Sequence, residues 1–454
     1  MSSTPPSALE LGQAIQRGEL DPVAVAKHSL GMAKQSEAVF ISLTEERALA
    51  EAQASADRQR IGGLLGPLDG VPIAWKDLID IQGTRTTGGS KILAQSCARS
   101  DADAVRHAAG AGMVGIGKTN LTELAYSGLG LNPHYGTPHH TPGQSEPRAP
   151  GGSSSGSAIA VAKGIVPVAI GTDTAGSLRV PAAFNGLVAY RPSQARHTRQ
   201  GVTPLARNMD TLGAMAMTLE DCLAVDDAMR GRPVYQRLPS PPEQSVIILD
   251  TTCLEDDSMA SSVRRNLENN AERLAQAGFR VVRRHVISVH DTLNCIAQLG
   301  WLGAVEAYTE YRHLLESDAA NAMDPRVRHR LQSAARMTPD NVVTLYRQRQ
   351  SLKAQLREEL SGAILLTPTV AHTAPLLGPL EADAQHFAEV NLATLRMSMV
   401  ASFLDSPAVA LPSGTDEADQ HTSLQLSAPC GDDETLLRVA LSASQYLSRS
   451  RPSL

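Results

Sequence analysis

Two glycine–serine clusters hold the residues best suited to covalent chemistry, GGSSSGS at 151–157 and GTDTAGS at 171–177. A serine hydroxyl attacks a carbonyl carbon only when a positioned base takes its proton, and the oxyanion that forms needs N–H donors nearby. In the first cluster Gly152, Ser154 and Gly156 fit G-x-S-x-G, a nucleophile elbow with Ser154 as nucleophile. Such an elbow stands at the end of a strand, whereas HTPGQSEPRAPG upstream is a loop rich in proline and glycine. A flexible linker fits no better, because SAIAVAKG continues directly as a helix. In the second cluster an apolar strand, Ile165 to Ile170, runs into a tight turn. Ala175 and Gly176 are small enough for backbone N–H groups to approach a substrate oxygen, and Ser177 ends the turn. That turn has no base beside it in sequence.

Other patterns compete for a chemical role. GMVGIGKT at 112–119 matches the phosphate-loop pattern G-x-x-x-x-G-K-[ST], and VIILD at 246–250 resembles the strand that ends in a magnesium-holding Asp. A phosphate loop needs a strand, a turn and then a helix. Here DADAVRHAAGAG predicts a helix opened by Asp101 as N-cap, and MVGIGKTN is itself the strand. The nucleotide site is therefore not expected, and VIILD is read as an ordinary buried strand. His134, His139 and His140 share a loop that has no Asp, Glu or Cys at ligand spacing, so no metal is expected. Arg179, two residues after Ser177, either pairs a substrate carboxylate or braces the turn, and bracing is preferred. Tyr135, Tyr308, Tyr311 and Arg312 are further candidates for lining a substrate pocket. Arg326, Arg328, Arg330, Arg336, Arg347, Arg349, Lys353 and Arg357 form a basic run, read as a solvated helix face or a docking surface.

The elements that must position these groups follow from periodicity. Residues 7–60 read as helices, opened by Ser7; a mixed α/β texture runs from about 66 to 230. The proline-rich 230–245 stretch reads as a linker or surface excursion. Beyond it come the strand VIILD, an amphipathic helix at 261–278 and the strand FRVVRRHV. Residues 295–360 read as mainly helical, and AILLTPTV and SPAVALPSG return to strand character. The 454 residues are 42% hydrophobic, ample for a large core. A net charge of −6 favours neither nucleic acid nor an acidic membrane, and 3% aromatic residues leave little for base stacking. Five scattered cysteines, never in C-x-x-C spacing, suit a reducing compartment. With no basic-then-apolar leader and no run of about eighteen apolar residues, a soluble cytoplasmic protein is expected.

Taken together, residues 150–193 resemble the glycine/serine-rich signature of the amidase signature family of amide hydrolases. GPLDGVPIAWKDLIDIQG resembles that family's lysine block, and TRTTGGS follows it. DADAVRHAAGAGMVGIGKTNLTELAYSG resembles its next helix–strand unit, and AILLTPTV and SFLDSPAVALPSG its C-terminal blocks. The resemblance implies an α/β fold with a central mixed sheet, flanking helices and a helical cap. It divides the chain into a helical segment at 1–60, a signature core at 61–230, a cap or specificity region at 231–360 and a second part of the core at 361–454. It implies a Ser–Ser–Lys triad of Lys76, Ser153 and Ser177, with Ser177 attacking the carbonyl and a cis peptide bond at Gly152–Ser153. It also implies oxyanion donors from the N–H groups of Thr174, Ala175, Gly176 and Ser177.

Three departures stand out. Ala175 and Ser155 replace glycines usual in the family, and Arg191 replaces a lysine. The local residues agree with a lysine base, since His197 is the one histidine near either cluster and VPIAW would carry Lys76 into the interior. The activity implied is cofactor-free hydrolysis of a carboxylic amide to an acid and ammonia or an amine, and the scarcity of aromatic residues with no membrane-binding helix favours a small polar amide or ureide over a fatty one. The alternative is an amidotransferase subunit that passes ammonia to an acceptor held by a partner. Neither a nucleic acid nor a membrane partner is expected, whereas a homodimer or a small partner subunit would be compatible.

Overall fold

Alternation in the short apolar runs decides how the sheet is covered. In β2 (Pro72–Lys76), Ile73 and Trp75 join a core with Val105, Ala108, Cys222 and Val225 from helices on one side. Ala74, between them, joins a second core with Ala26, Leu30, Ala52 and Ala158 from helices on the other. A strand buried on both faces reads as a continuous apolar run, which is why VPIAW carries no polar residue. The computed structural model describes residues 6–93, 97–139 and 146–447.

The remaining strands are β1 (Phe40–Leu43), β3 (Val114–Thr119), β4 (Val168–Asp173), β5 (Val188–Arg191), β6 (Thr211–Ala216), β7 (Val246–Asp250), β8 (Arg280–Arg284), β9 (Ile364–Pro368), β10 (Ala408–Thr415) and β11 (His421–Ser427). Among the described residues they form one mixed 11-stranded sheet, ordered β1-β3-β2-β4-β6-β5-β10-β11-β9-β7-β8. β2 runs parallel to β3 and to β4, so Lys76 and Asp173 emerge at the same end of the sheet. The protein is thus α/β, with a large mixed sheet flanked by helices. No described helix is long and apolar enough to cross a membrane.

Several sequence expectations change in detail. The N-terminal 1–60 span is not wholly helical, because Phe40–Leu43 pairs antiparallel with β3. The 231–360 span is more than a helical cap, since β7 and β8 extend the sheet beside β9. Asp101 does not cap a helix; the helix runs Asp103–Gly110, with Ala102 at its N-cap. Asp101 instead accepts from Arg47 Nη1 at 2.7 Å and from the Gln82 N–H at 2.8 Å, a charged partnership stronger than a cap. The 230–245 stretch is anchored by Arg237 Nη2 on Asp227 Oδ1 at 2.8 Å and by the Ser240 N–H on Arg438 O at 2.9 Å.

The phosphate-loop match lies on β3, and Lys118 faces the interior with Nζ 2.6 Å from Asp77 Oδ1. Both side chains are fully buried. Thr87 donates to the other carboxylate oxygen through its N–H at 3.0 Å. Lys118 also donates to Arg85 O at 2.8 Å and Thr86 Oγ1 at 2.6 Å, which leaves no role for a phosphate. Lys118→Ala should therefore lower stability by roughly 3–5 kcal/mol, because Asp77 is left buried and unpaired. Lys118→Met combined with Asp77→Leu should recover most of that loss in urea unfolding. Equal stability of the single variant and the parent would show that the pair is not a structural element.

Candidate active site

Lys76 ends β2 fully buried, with Nζ 2.7 Å from Ser153 Oγ and 2.7 Å from Thr172 Oγ1. Both neighbours are hydroxyls, which stabilise a neutral amine by hydrogen bonding without fixing a charge on it. Burial pushes Lys76 down to about 7, against the opposing pull of Asp210 and then Asp173. Asp77, next in sequence, faces Lys118 and acts elsewhere.

Ser153 is held by a loop whose backbone is boxed in. The Gly152–Ser153 peptide is cis. The Gly152 N–H donates to Gly128 O at 2.7 Å, and Ser153 O accepts from the Thr122 N–H at 3.1 Å. A Cβ on Gly152 would lie 2.6 Å from Gly130 N, so this approach requires glycine. The helix Ser155–Ala162 starts immediately afterwards, and its Gly156 N–H donates to Asn120 O at 2.9 Å. Ser154 turns away from the substrate side; its Oγ donates to Thr172 O at 3.3 Å and packs against Gly171. The elbow reading of Ser154 therefore loses its exposed hydroxyl.

The Ser154 N–H donates to Ser177 O at 3.2 Å, and this bond ties the first cluster to the second. Ser177 opens onto a cavity of about 310 Å³, together with Thr174 and Ala175. Asp173 shapes the turn that carries them. Its carboxylate accepts from the Gly176 N–H at 2.9 Å, the Leu178 N–H at 3.3 Å and Arg179 Nε and Nη2, each at 2.9 Å. Arg191 Nε lies 3.3 Å from Asp173 Oδ1, near enough to attract although off the line of a hydrogen bond. These arginines hold the Asp173 carboxyl well below the usual carboxylate range despite its burial. Gly176 sits at φ +127°, and a Cβ there would meet Ser398 Oγ at 2.0 Å.

One expectation about this turn changes, and the alternative left open for Arg179 resolves in favour of bracing. The Gly176 N–H is committed to Asp173, so it cannot serve as an oxyanion donor while the turn keeps this shape. Thr174, Ala175 and Ser177 have no protein acceptor for their N–H groups among the described residues, and all three line the cavity. Arg179 is a brace and not a substrate ligand. It is fully buried and also donates to Gln425 Oε1 at 2.5 Å, Ser398 O at 3.0 Å and Ser402 Oγ at 2.8 Å.

The other proposed pocket residues lie elsewhere. Tyr135 sits in a turn where its N–H donates to Asn132 Oδ1, and Tyr308 is half-buried on the helix Leu302–Leu315. Arg312 is exposed, 3.5 Å from Glu316, while the Tyr311 hydroxyl donates inward to Pro204 O. None of the four lines the cavity. His134 lies 2.8 Å from Glu123 Oε1, His139 is exposed and His140 falls outside the described residues. Among the described residues no three His, Cys, Asp or Glu side chains converge as metal ligands.

Sequence reasoning missed Ser127, Asn391 and Arg330 on the cavity wall. The basic run is not one face. Arg326 pairs with Asp324, Arg349 donates inward to Phe403 O, and Arg357 pairs with Asp432. Helical phase within Pro325–Ala334, where Val327, Leu331 and Ala334 are buried, was the available signal that Arg330 sits beside the core face.

Comparison with known proteins bears on this arrangement. A family model described as Amidase matches residues 27–437. The chain is 31% identical over 470 residues to 2-amino-5-chloromuconic acid deaminase of Comamonas testosteroni, covering 99% of this chain and 97% of that one. It is 29% identical over 482 residues to a glutamyl-tRNA(Gln) amidotransferase subunit of Cupriavidus necator, covering 96% and 95%. Among solved structures, a crystal structure of an amidase superimposes with a TM-score of 0.85 at 28% identity, over 98% of this chain and 100% of that one.

The Asp173 hub generates a direct test. Asp173→Asn removes the charge that two buried guanidinium groups face, and it should cost roughly 3–5 kcal/mol of stability. Urea unfolding followed by circular dichroism reads this directly. A loss within about 0.5 kcal/mol, the size of an ordinary surface change, would mean that the arginines are balanced by other groups.

Proposed function

The chain belongs to the amidase family and is an amide-hydrolysing enzyme, and from that premise we propose that Lys76, Ser153 and Ser177 carry its reaction. The observation behind this reading is the 2.7 Å contact of a buried Lys76 Nζ with Ser153 Oγ, one residue before the N–H that binds Ser177 O. Neutral Lys76 takes a proton from Ser153 as Ser153 takes one from Ser177, and Ser177 Oγ bonds to the amide carbon. The carbonyl oxygen becomes an oxyanion, received by the N–H groups of Thr174, Ala175 and Ser177. The same path then returns the proton to the leaving nitrogen, the C–N bond breaks, and an acyl ester remains on Ser177. Water attacks that ester by the reverse relay and releases the acid. The substrate is a small amide, which the size of the cavity favours.

A second reading has a specific support: over nearly its whole length the chain is similar to one component of an amidotransferase. In that case a partner would hold the acceptor and the same site would supply its ammonia. Ammonia release from small amides by the isolated chain favours the hydrolase. Release that appears only after a partner is added favours the amidotransferase.

Fluorophosphonate labelling followed by peptide mass spectrometry should place the label on the peptide containing Ser177. Label on Ser154 would overturn the assignment. With Lys76 at about 7, kcat should rise as pH passes through about 7, because the base acts only when unprotonated. Burial raises Asp210 to about 6. The apparent midpoint therefore belongs to both groups. Lys76→Ala should lower kcat roughly 10²–10⁴-fold. Lys76→Arg should not restore it, since a guanidinium stays charged. Near-normal turnover of Lys76→Arg would remove lysine from the proton path.

A further inference from the structure

The cavity that Ser177 opens onto contains an uncompensated cation. Arg330, on the helix Pro325–Ala334, lines it, with its guanidinium carbon 4.5 Å from the centre of the Tyr126 ring. Its Nη1 donates to Tyr126 O, and no other acceptor or carboxylate pairs with it among the described residues. No described residue lining the cavity is an Asp or Glu. Within the same stretch Arg326, Lys353 and Arg357 have a carboxylate partner, and Arg328 and Arg349 donate to backbone carbonyls away from the cavity. Burial disfavours the charge on Arg330, and only Tyr126 offsets it. Arginine nevertheless stays protonated, so the site holds a positive charge waiting for an anion.

Asn391 supplies a second donor. It is 3% exposed and lines the same cavity. Its Oδ1 accepts from the Ser127 hydroxyl at 2.9 Å and the Gly128 N–H at 2.8 Å. An N–H can be satisfied only by the carbonyl oxygen, which fixes the amide and leaves Nδ2 as a donor with no protein acceptor among the described residues. A guanidinium and an amide N–H₂ beside Tyr126 and Leu395 make a receptor for a planar anion on a short apolar stem.

We propose that the amide hydrolysed at Ser177 also carries a carboxylate, and that Arg330 and Asn391 bind it in this cavity. The inference rests on the hydrolase reading and narrows its substrate class to short ω-amides of dicarboxylic acids. It departs from the general run of small neutral amides, for which a cavity-wall cation with no carboxylate partner would only be a cost.

Succinamate and butyramide, matched in length and differing in charge, provide the test. For the parent enzyme kcat/KM should favour succinamate by roughly 10²-fold or more, since a site built to bind a polar group discriminates strongly against its absence. Arg330→Met should collapse that ratio, and Arg330→Lys should keep part of it. Because Arg330 also packs on Tyr126, Ser333→Asp gives an independent variant. Ser333 is exposed, lines the cavity and lies three residues along the same helix, so its new carboxylate would pair Arg330 in place. It too should erase the preference. Equal kcat/KM for the two amides, or a ratio unmoved by either variant, overturns the inference and leaves amide hydrolysis standing. If neither amide is cleaved, the hydrolase reading fails for this class, and calorimetry with succinate decides the anion site separately. Binding weakened tenfold or so by Arg330→Met supports the site, and no heat at roughly millimolar succinate overturns it.

Discussion

The geometry of the candidate site depends on one buried carboxylate. Asp173 closes β4 and receives N–H groups from its own turn on one side and the Arg179 guanidinium on the other. A carboxylate in the interior is expensive unless it is both charge-paired and hydrogen-bonded, and Asp173 is both. The arrangement joins elements far apart in sequence, because Arg179 also reaches Gln425 on β11 and Ser398 and Ser402 on the helix Ala384–Phe403. The turn bearing Ser177 is therefore fixed from the N-terminal and C-terminal parts of the core at once. That double anchorage leaves the N–H groups of Thr174, Ala175 and Ser177 without a protein acceptor among the described residues and uses the fourth, on Gly176, as a strut.

The same hub separates two electrostatic neighbourhoods that lie almost side by side. Asp173 has its charge answered by Arg179 and Arg191, and its pull on Lys76 ranks behind that of Asp210. Asp210 is engaged by Thr174 Oγ1 at 2.6 Å and by the Leu205 and Ala206 N–H groups. Lys76 is left with hydroxyl neighbours and no carboxylate in contact, so burial dominates and its proton is loosely held. On the neighbouring parallel strand Lys118 sits directly on Asp77. Two buried lysines on adjacent strands thus differ in chemistry because of which side chain meets each ammonium.

Much of the site was legible because it is built from local devices. The strand-into-turn pattern of GIVPVAIGTDTAGS, the apolar run before Lys76 and the helix following GGSSSGS are each set by residues within one element. What could not be read are contacts made between elements. Arg179 was legible as a brace of its own turn but not its reach to Gln425 and Ser402, and Tyr308 and Arg312 lie on a helix that presents Gly303 and Ala304 to the cavity instead. Phe40–Leu43 has no clear alternation, and its strand character comes from pairing with β3. Asp101 has the right chemistry for a cap, and a guanidinium 54 residues away offered a better partner.

Distance in sequence has a physical counterpart here. Lys76 and Ser153 are 77 residues apart and Lys76 and Thr172 are 96 apart, yet both pairs meet at 2.7 Å. Parallel pairing of β2 with β4 makes that possible, because it brings both strand ends to one edge where connecting loops cross. Residues that a parallel sheet must place are few and closely constrained, whereas the rest of the cavity lining comes chiefly from Tyr126, Ser127 and Leu205 and from elements beyond residue 300, among them the helix that bears Asn391. Such a division separates the residues fixed by strand pairing from those that line the rest of the cavity. The charge of Arg330 belongs to that wall, where Tyr126 holds it through its carbonyl oxygen and its ring and no carboxylate among the described residues answers it.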